Sequence, residues 1–201
     1  TALGQAALNS NTTNSNNTAI GKSALFASTG SNNTGLGHNA LIANTSGSAN
    51  TAVGQNSLSS NITTSNNTAV GFEALKDATN NGNVGVGHSA NVSAGVQNSI
   101  SIGIGATVAG NSSIAIGNIA SASNINSVVL GSGATATQLN SISVGATSST
   151  SNAFAIALGD NASASGENSI AIGKSAIASG QGSIAIGDGA NNNTVNSILL
   201  G

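Results

Sequence analysis

Eight glycines in the C-terminal half of the chain recur at a strict 14-residue interval: Gly103, Gly117, Gly131, Gly145, Gly159, Gly173, Gly187 and Gly201. A repeat this short has room for a strand, a turn, a second strand and another turn, but not for a strand with a crossover helix. Successive copies can bury their faces only by stacking in parallel, coil upon coil. The expected fold class is therefore all-β, a parallel β-roll or β-solenoid in which each repeat forms one 14- to 17-residue coil.

The residues before each glycine carry the strand signal. An aliphatic stands three positions ahead at Ile100, Ile114, Val128, Ile142, Ile156, Ile170, Ile184 and Ile198, and a second stands directly ahead at Ile102, Ile116, Leu130, Val144, Leu158, Ile172, Ile186 and Leu200. Two positions apart, both lie on one face of a strand. Hydrophobicity assigns that face to the interior and leaves the alternating Ser169, Ala171, Ser183 and Ala185 on a flat outer face. A second, shorter alternation follows the glycine, as in Ala162 with Ala164 and Ala176 with Ala178.

The N-terminal half uses a longer form. Gly4, Gly21, Gly37, Gly54, Gly71 and Gly87 follow one another at 16- or 17-residue intervals. One aliphatic still precedes each glycine, the second moves four positions past it (Leu8, Leu25, Leu41, Leu58, Leu75), and Thr1, Thr18, Thr34, Thr51 and Thr68 replace the outer Ile. The expected organisation is a β-roll of 16/17-residue repeats over residues 1–90 and one of 14-residue repeats over 91–201, in one continuous rod. Because the chain starts inside one motif and stops on the closing glycine of another, it is expected to be a stretch of a longer fibre.

Asn recurs at the turns. Asn98, Asn126, Asn140, Asn168 and Asn196 share one position, and Asn17, Asn33, Asn50, Asn67 and Asn83 another. Asn tolerates left-handed backbone, and stacked columns of it can form amide ladders along the axis.

Composition narrows the functions open to such a frame. Only 4% of residues are charged and 1% aromatic, with no Cys, Pro, Met, Trp or Tyr, so a large conventional core, disulfides and thiolate metal sites are ruled out. A net charge of −2 with three basic residues gives no electrostatic footprint for nucleic acid or anionic lipid. No apolar run approaches the roughly 18–20 residues of a membrane-spanning helix. Two aliphatics per coil offer little burial against the entropy of ordering a whole coil, and a flat Ala/Ser face invites further burial against other chains. An oligomer is expected.

"NSIAIGKSAIASGQG", "NSVVLGSGATATQ" and "NSISVGATSSTSN" resemble the head repeats of trimeric autotransporter adhesins, the YadA-like head, across residues 98–201. Residues 1–90 are similar, more loosely, to related repeats of surface and viral fibre proteins. The resemblance implies a left-handed roll, a homotrimer, display on a cell or virion surface, and adhesion to a host cell, matrix or other surface. A purely structural shaft of a viral or phage fibre, or of an extracellular filament, is the alternative.

Several chemical patterns compete with that reading. "GLGHNA" and "GVGHSA" at residues 35–40 and 85–90 fit a dinucleotide fingerprint, but no helix pattern or acidic partner follows, so no cofactor is expected. His38 and His88 are three coils apart, too far for one chain to share a metal. Asp160 and Asp188, two coils apart with Lys174 between, read as a surface edge rather than as a catalytic pair. The Thr column leaves a weak ice-binding alternative. No catalytic, cofactor or metal site is expected. The positions directly after the glycines, Lys22, His38, Gln55, His88, Asp160, Lys174 and Asp188, form the candidate exposed contact edge.

Overall fold

The computed structural model describes residues 1–12 and 14–201, and it divides into two compact units, Thr1–Gly105 and Ala106–Gly201. In the first unit, the strands Ala2–Leu3, Thr18–Ile20, Thr34–Leu36, Thr51–Val53, Thr68–Val70, Val84–Val86 and Ile100–Ile102 pair in parallel, each with the next along the chain. The register follows the repeat without slippage: Thr18 faces Thr34, which faces Thr51, which faces Thr68.

The second unit repeats the arrangement with two sheets. One runs through Ile114–Ile116, Val128–Leu130, Ile142–Val144, Ile156–Leu158, Ile170–Ile172, Ile184–Ile186 and Ile198–Leu200. The other runs through Thr107–Val108, Ser121–Ala122, Thr135–Ala136, Ser149–Thr150, Ser163–Ala164, Ile177–Ala178 and Asn191–Asn192, also all parallel. Each 14-residue coil is thus a three-residue strand, a glycine corner, a two-residue strand and a second corner. The parallel β-solenoid expected from the glycine spacing is present in both units.

The faces of the long strands are the reverse of the expectation. Ser169, Ala171, Ser183 and Ala185 are fully buried, whereas Ile170, Ile172 and Ile184 are only half-buried and Ile186 is exposed. The interior is filled mainly by Ala and Ser, with Val108 and Val129 the larger buried apolar side chains: Ala155, Ala157, Ala162, Ala164, Ala171, Ala176, Ala178 and Ala185 form one buried cluster. Coil width explains this. Two sheets holding aliphatic side chains between them stand about 10 Å apart, and corners of a few residues cannot bridge that gap. The hydroxyls of Ser143, on a long strand, and Ser148, directly before the short strand of the same coil, lie 2.7 Å apart across the interior. A period of two specifies which residues share a face and is silent on which face turns inward, and a one-residue inversion exchanges them all.

The longer coils of the first unit have a wider interior. Leu25, Leu41, Leu58 and Leu75 are fully buried, as expected for the second aliphatic of this repeat. Each adopts left-handed backbone, with φ between 49° and 53°, so the stretch after the glycine forms successive turns instead of a second strand. Coil-to-coil hydrogen bonds persist there, for instance from Leu25 N–H to the Ala40 carbonyl at 2.9 Å. Thr18, Thr34, Thr51 and Thr68 face outward beside Ile20, Leu36, Val53 and Val70, and so do not line the core. The Gly35 of "GLGHNA" sits in a strand where a Cβ would come within 3.2 Å of Leu25 Cγ, and turn, not helix, follows Gly37. The fingerprint is a by-product of packing.

Both Asn columns exist and differ. Asn17, Asn33, Asn50, Asn67 and Asn83 are buried, and each carboxamide oxygen accepts the backbone N–H of its counterpart one coil on, at 2.8 to 3.1 Å from Asn33 through Ser99. In the shorter coils Ser takes the same place, as where Ser127 N–H donates to Ser113 Oγ at 3.0 Å. The other column lies on a corner at φ 52° to 56°, with one amide link from Asn126 Nδ2 to Asn140 Oδ1 at 3.1 Å.

Candidate functional site

The glycine corner places the expected contact residues. At Gly21, φ is 128° and a Cβ would meet the Gly37 carbonyl oxygen at 2.6 Å, so neither the backbone nor the space admits a side chain. The next residue turns outward. Lys22, His38, Gln55 and His88 in the first unit, and Asp160, Lys174 and Asp188 in the second, are all exposed. Their carbonyls are pinned by the following coil: Asn39 N–H donates to the Lys22 carbonyl and Asn56 N–H to that of His38, both at 3.0 Å, while Ser175 N–H donates to that of Asp160 at 2.8 Å. Each unit therefore presents one side chain per coil from a rigid, evenly spaced edge.

That edge carries an aromatic pair the sequence reading passed over. Phe72 occupies the same corner one repeat before His88, and the two rings stack with centroids 5.0 Å apart and planes at 21°. The 16-residue step from Gly71 to Gly87 was the available signal. Beside Phe72, Lys76 Nζ lies 3.3 Å from Glu73 Oε1, and Asn91 Nδ2 donates to Asp77 Oδ2 at 2.8 Å. Among the described residues the Lys76–Glu73 contact is the one ion pair within 4 Å, so Lys174 is not bonded to Asp160 or Asp188. Among the described residues there is also no cleft or cavity, no group of three potential metal ligands, and no helix long and apolar enough to cross a membrane.

The second surface is the outer face of the long strands. In the second unit it carries two aliphatic side chains per coil from Ile114 to Leu200, and Ile116, Ile142 and Ile186 are each more than a third exposed. Apolar stripes of this length on one sheet face mark a surface for another macromolecule.

Residues 97–118 and 122–198 match the YadA head domain repeat. This stretch is a YadA-like head. The crystal structure of the collagen-binding domain of the Yersinia adhesin YadA is similar at 34% identity and a TM-score of 0.54, over 59% of this chain. The chain spans 65% of that domain's length. No curated protein matches. Within the YadA-like head, Ser or Ala alternates with the aliphatics in most coils, Val129 and Leu199 being the exceptions, and the flanking aliphatics lie on the outer face just described.

Proposed function

We propose that this chain is a non-enzymatic segment of an extracellular, surface-displayed fibre. Three copies would associate through the outer faces of their long strands and adhere to host cells or matrix through their repetitive edges. The observation that carries this reading is the outward aliphatic pair in coil after coil of a YadA-like head: an apolar face that one chain leaves half in water. Collagen is the ligand class to test first, because the similar Yersinia domain is described as collagen-binding. The contact edge is Lys22, His38, Gln55, His88, Asp160, Lys174 and Asp188, and the change from 16/17-residue repeats (1–90) to 14-residue repeats (91–201) alters the length of chain per coil while each coil still offers one such position. Weak contacts at each coil would sum by multivalency.

Sedimentation of the purified segment reads the assembly, and retention on immobilised collagen and other matrix proteins reads adhesion. A trimer that binds none of them at high surface density would make the segment a spacer, the architectural role. A monomer at every concentration would remove the assembly itself.

A further inference from the structure

The apolar face of the second unit extends onto both of its corners, at residues the repeat does not call for. Ile119 lies two positions past Gly117, in a column otherwise held by Gly133, Thr147, Asn161, Ser175 and Gly189; its φ is 51° and it is 62% exposed. On the opposite corner Phe154 stands at φ 58° where Asn126, Asn140, Asn168, Gly182 and Asn196 otherwise stand, and it is 50% exposed. Left-handed backbone suits Gly and Asn and costs free energy in a β-branched or aromatic residue. Nothing inside the coil rewards that cost, because both side chains point into solvent. Beside Phe154, whose N–H donates to the Leu139 carbonyl at 3.2 Å, Leu139 is 37% and Ile125 47% exposed. From Ala106 to Gly159 the unit carries no Asp, Glu, Lys or Arg.

We infer that these two corners are the complementary halves of a seam between copies of this chain, with Ile119 of one protomer packing against Ile125, Leu139 and Phe154 of the next. The inference rests on the homotrimer proposed above. A cyclic trimer joins protomers heterologously, so that one edge of each copy meets a different edge of its neighbour. The long-strand face has two such edges, and both carry strained, exposed, uncharged apolar residues within a few coils of each other along the axis. Three side chains on three coils are far smaller than the roughly 1,000 Å² that a stable independent partner needs. The patch fits the rim of a larger interface that another copy already covers.

Phe154→Asn and Ile119→Asn restore the residue type that neighbouring coils use, so they relieve strain in the protomer and remove only the outward contact. Each is expected to leave the protomer's denaturation midpoint unchanged or higher while raising the trimer dissociation constant by about tenfold or more. The chain has no Cys, which permits a direct geometric test. Ile119 and Ile125 are separated within a coil by six residues of largely extended chain, on the order of 15 Å, beyond the reach of a disulfide. Oxidised I119C/I125C should therefore run as a covalent trimer on a denaturing gel, and each single variant as a monomer. Wild-type protein that sediments as a monomer defeats the homotrimer reading. A wild-type trimer that I119C/I125C does not cross-link and Phe154→Asn does not loosen overturns the seam alone.

Discussion

Replacing Asn50 by Ala tests the buried amide ladder at its middle. The Asn50 side chain is fully buried; its oxygen accepts Asn67 N–H at 3.0 Å and its nitrogen donates to the Thr64 carbonyl at 2.8 Å. The Thr64 carbonyl keeps a second donor, Asn61 Nδ2 at 3.1 Å, so its loss is partial. Asn67 N–H has no substitute partner and is left buried, a penalty of about 1–3 kcal/mol. Adding about 1 kcal/mol for the second bond gives a destabilisation of about 2–4 kcal/mol. With a shift of about 2–4 °C per kcal/mol for a chain of this size, the thermal midpoint should fall by about 4–16 °C. Asn50→Ser should recover part of this, because Ser fills the equivalent place in the shorter coils and accepts the same kind of backbone N–H. Circular dichroism melts and urea titrations read both variants. An Asn50→Ala protein within about 0.5 kcal/mol of wild type, the span of an inconsequential surface change, would refute the ladder as a source of stability. Asn50→Ser no better than Ala would show that the N–H is not the group that matters.

Three further outcomes follow from the same geometry. Ala171→Ile forces a branched side chain into an interior sized for Ala and should destabilise by about 1–3 kcal/mol or more in denaturant titration, whereas Ile170→Ser should cost the isolated protomer less than about 1 kcal/mol and show its main effect in sedimentation. Gly159→Ala combines φ 144° with a Cβ placed 2.6 Å from the Gly173 carbonyl carbon, and a loss of about 3 kcal/mol or more is expected by calorimetry. A double-mutant cycle of Phe72→Ala and His88→Ala should return a coupling of about 0.5–1.5 kcal/mol, and additive effects would mean the rings merely share a corner.

The glycine spacing made the coil length, the parallel stacking and the exposed corner residues legible, because a side chain at Gly21 or Gly37 would meet the backbone of the next coil. The burial of Leu25, Leu41, Leu58 and Leu75 was legible from their recurrence as aliphatics at one fixed offset from the glycine, but the width of the interior that holds them was not. The facing of Ile170 and Ala171 was not. Alternation groups residues by side, and the usual tie-breaker, that aliphatics go inside, presumes that the interior of a single chain is the only place to bury them. Here coil width settles the matter. At the edge, Lys22 and Asp188 could be placed from spacing alone, but the Phe72–His88 stack depends on ring orientations that the repeat does not encode.

The ladder hydrogen bonds of the second unit run between successive coils, along the axis. Tension applied in that direction would load them as an opening zipper, one coil at a time, instead of shearing a whole sheet together. Each coil that gave way would release its whole 14-residue length of chain, roughly 40–45 Å of new contour once its place in the stack is subtracted. A single chain pulled from one end should therefore yield in short, equal steps at modest force. An assembly whose protomers clasp one another laterally would have to break several such steps at once, so its toughness would lie in the contact between chains more than in any one of them.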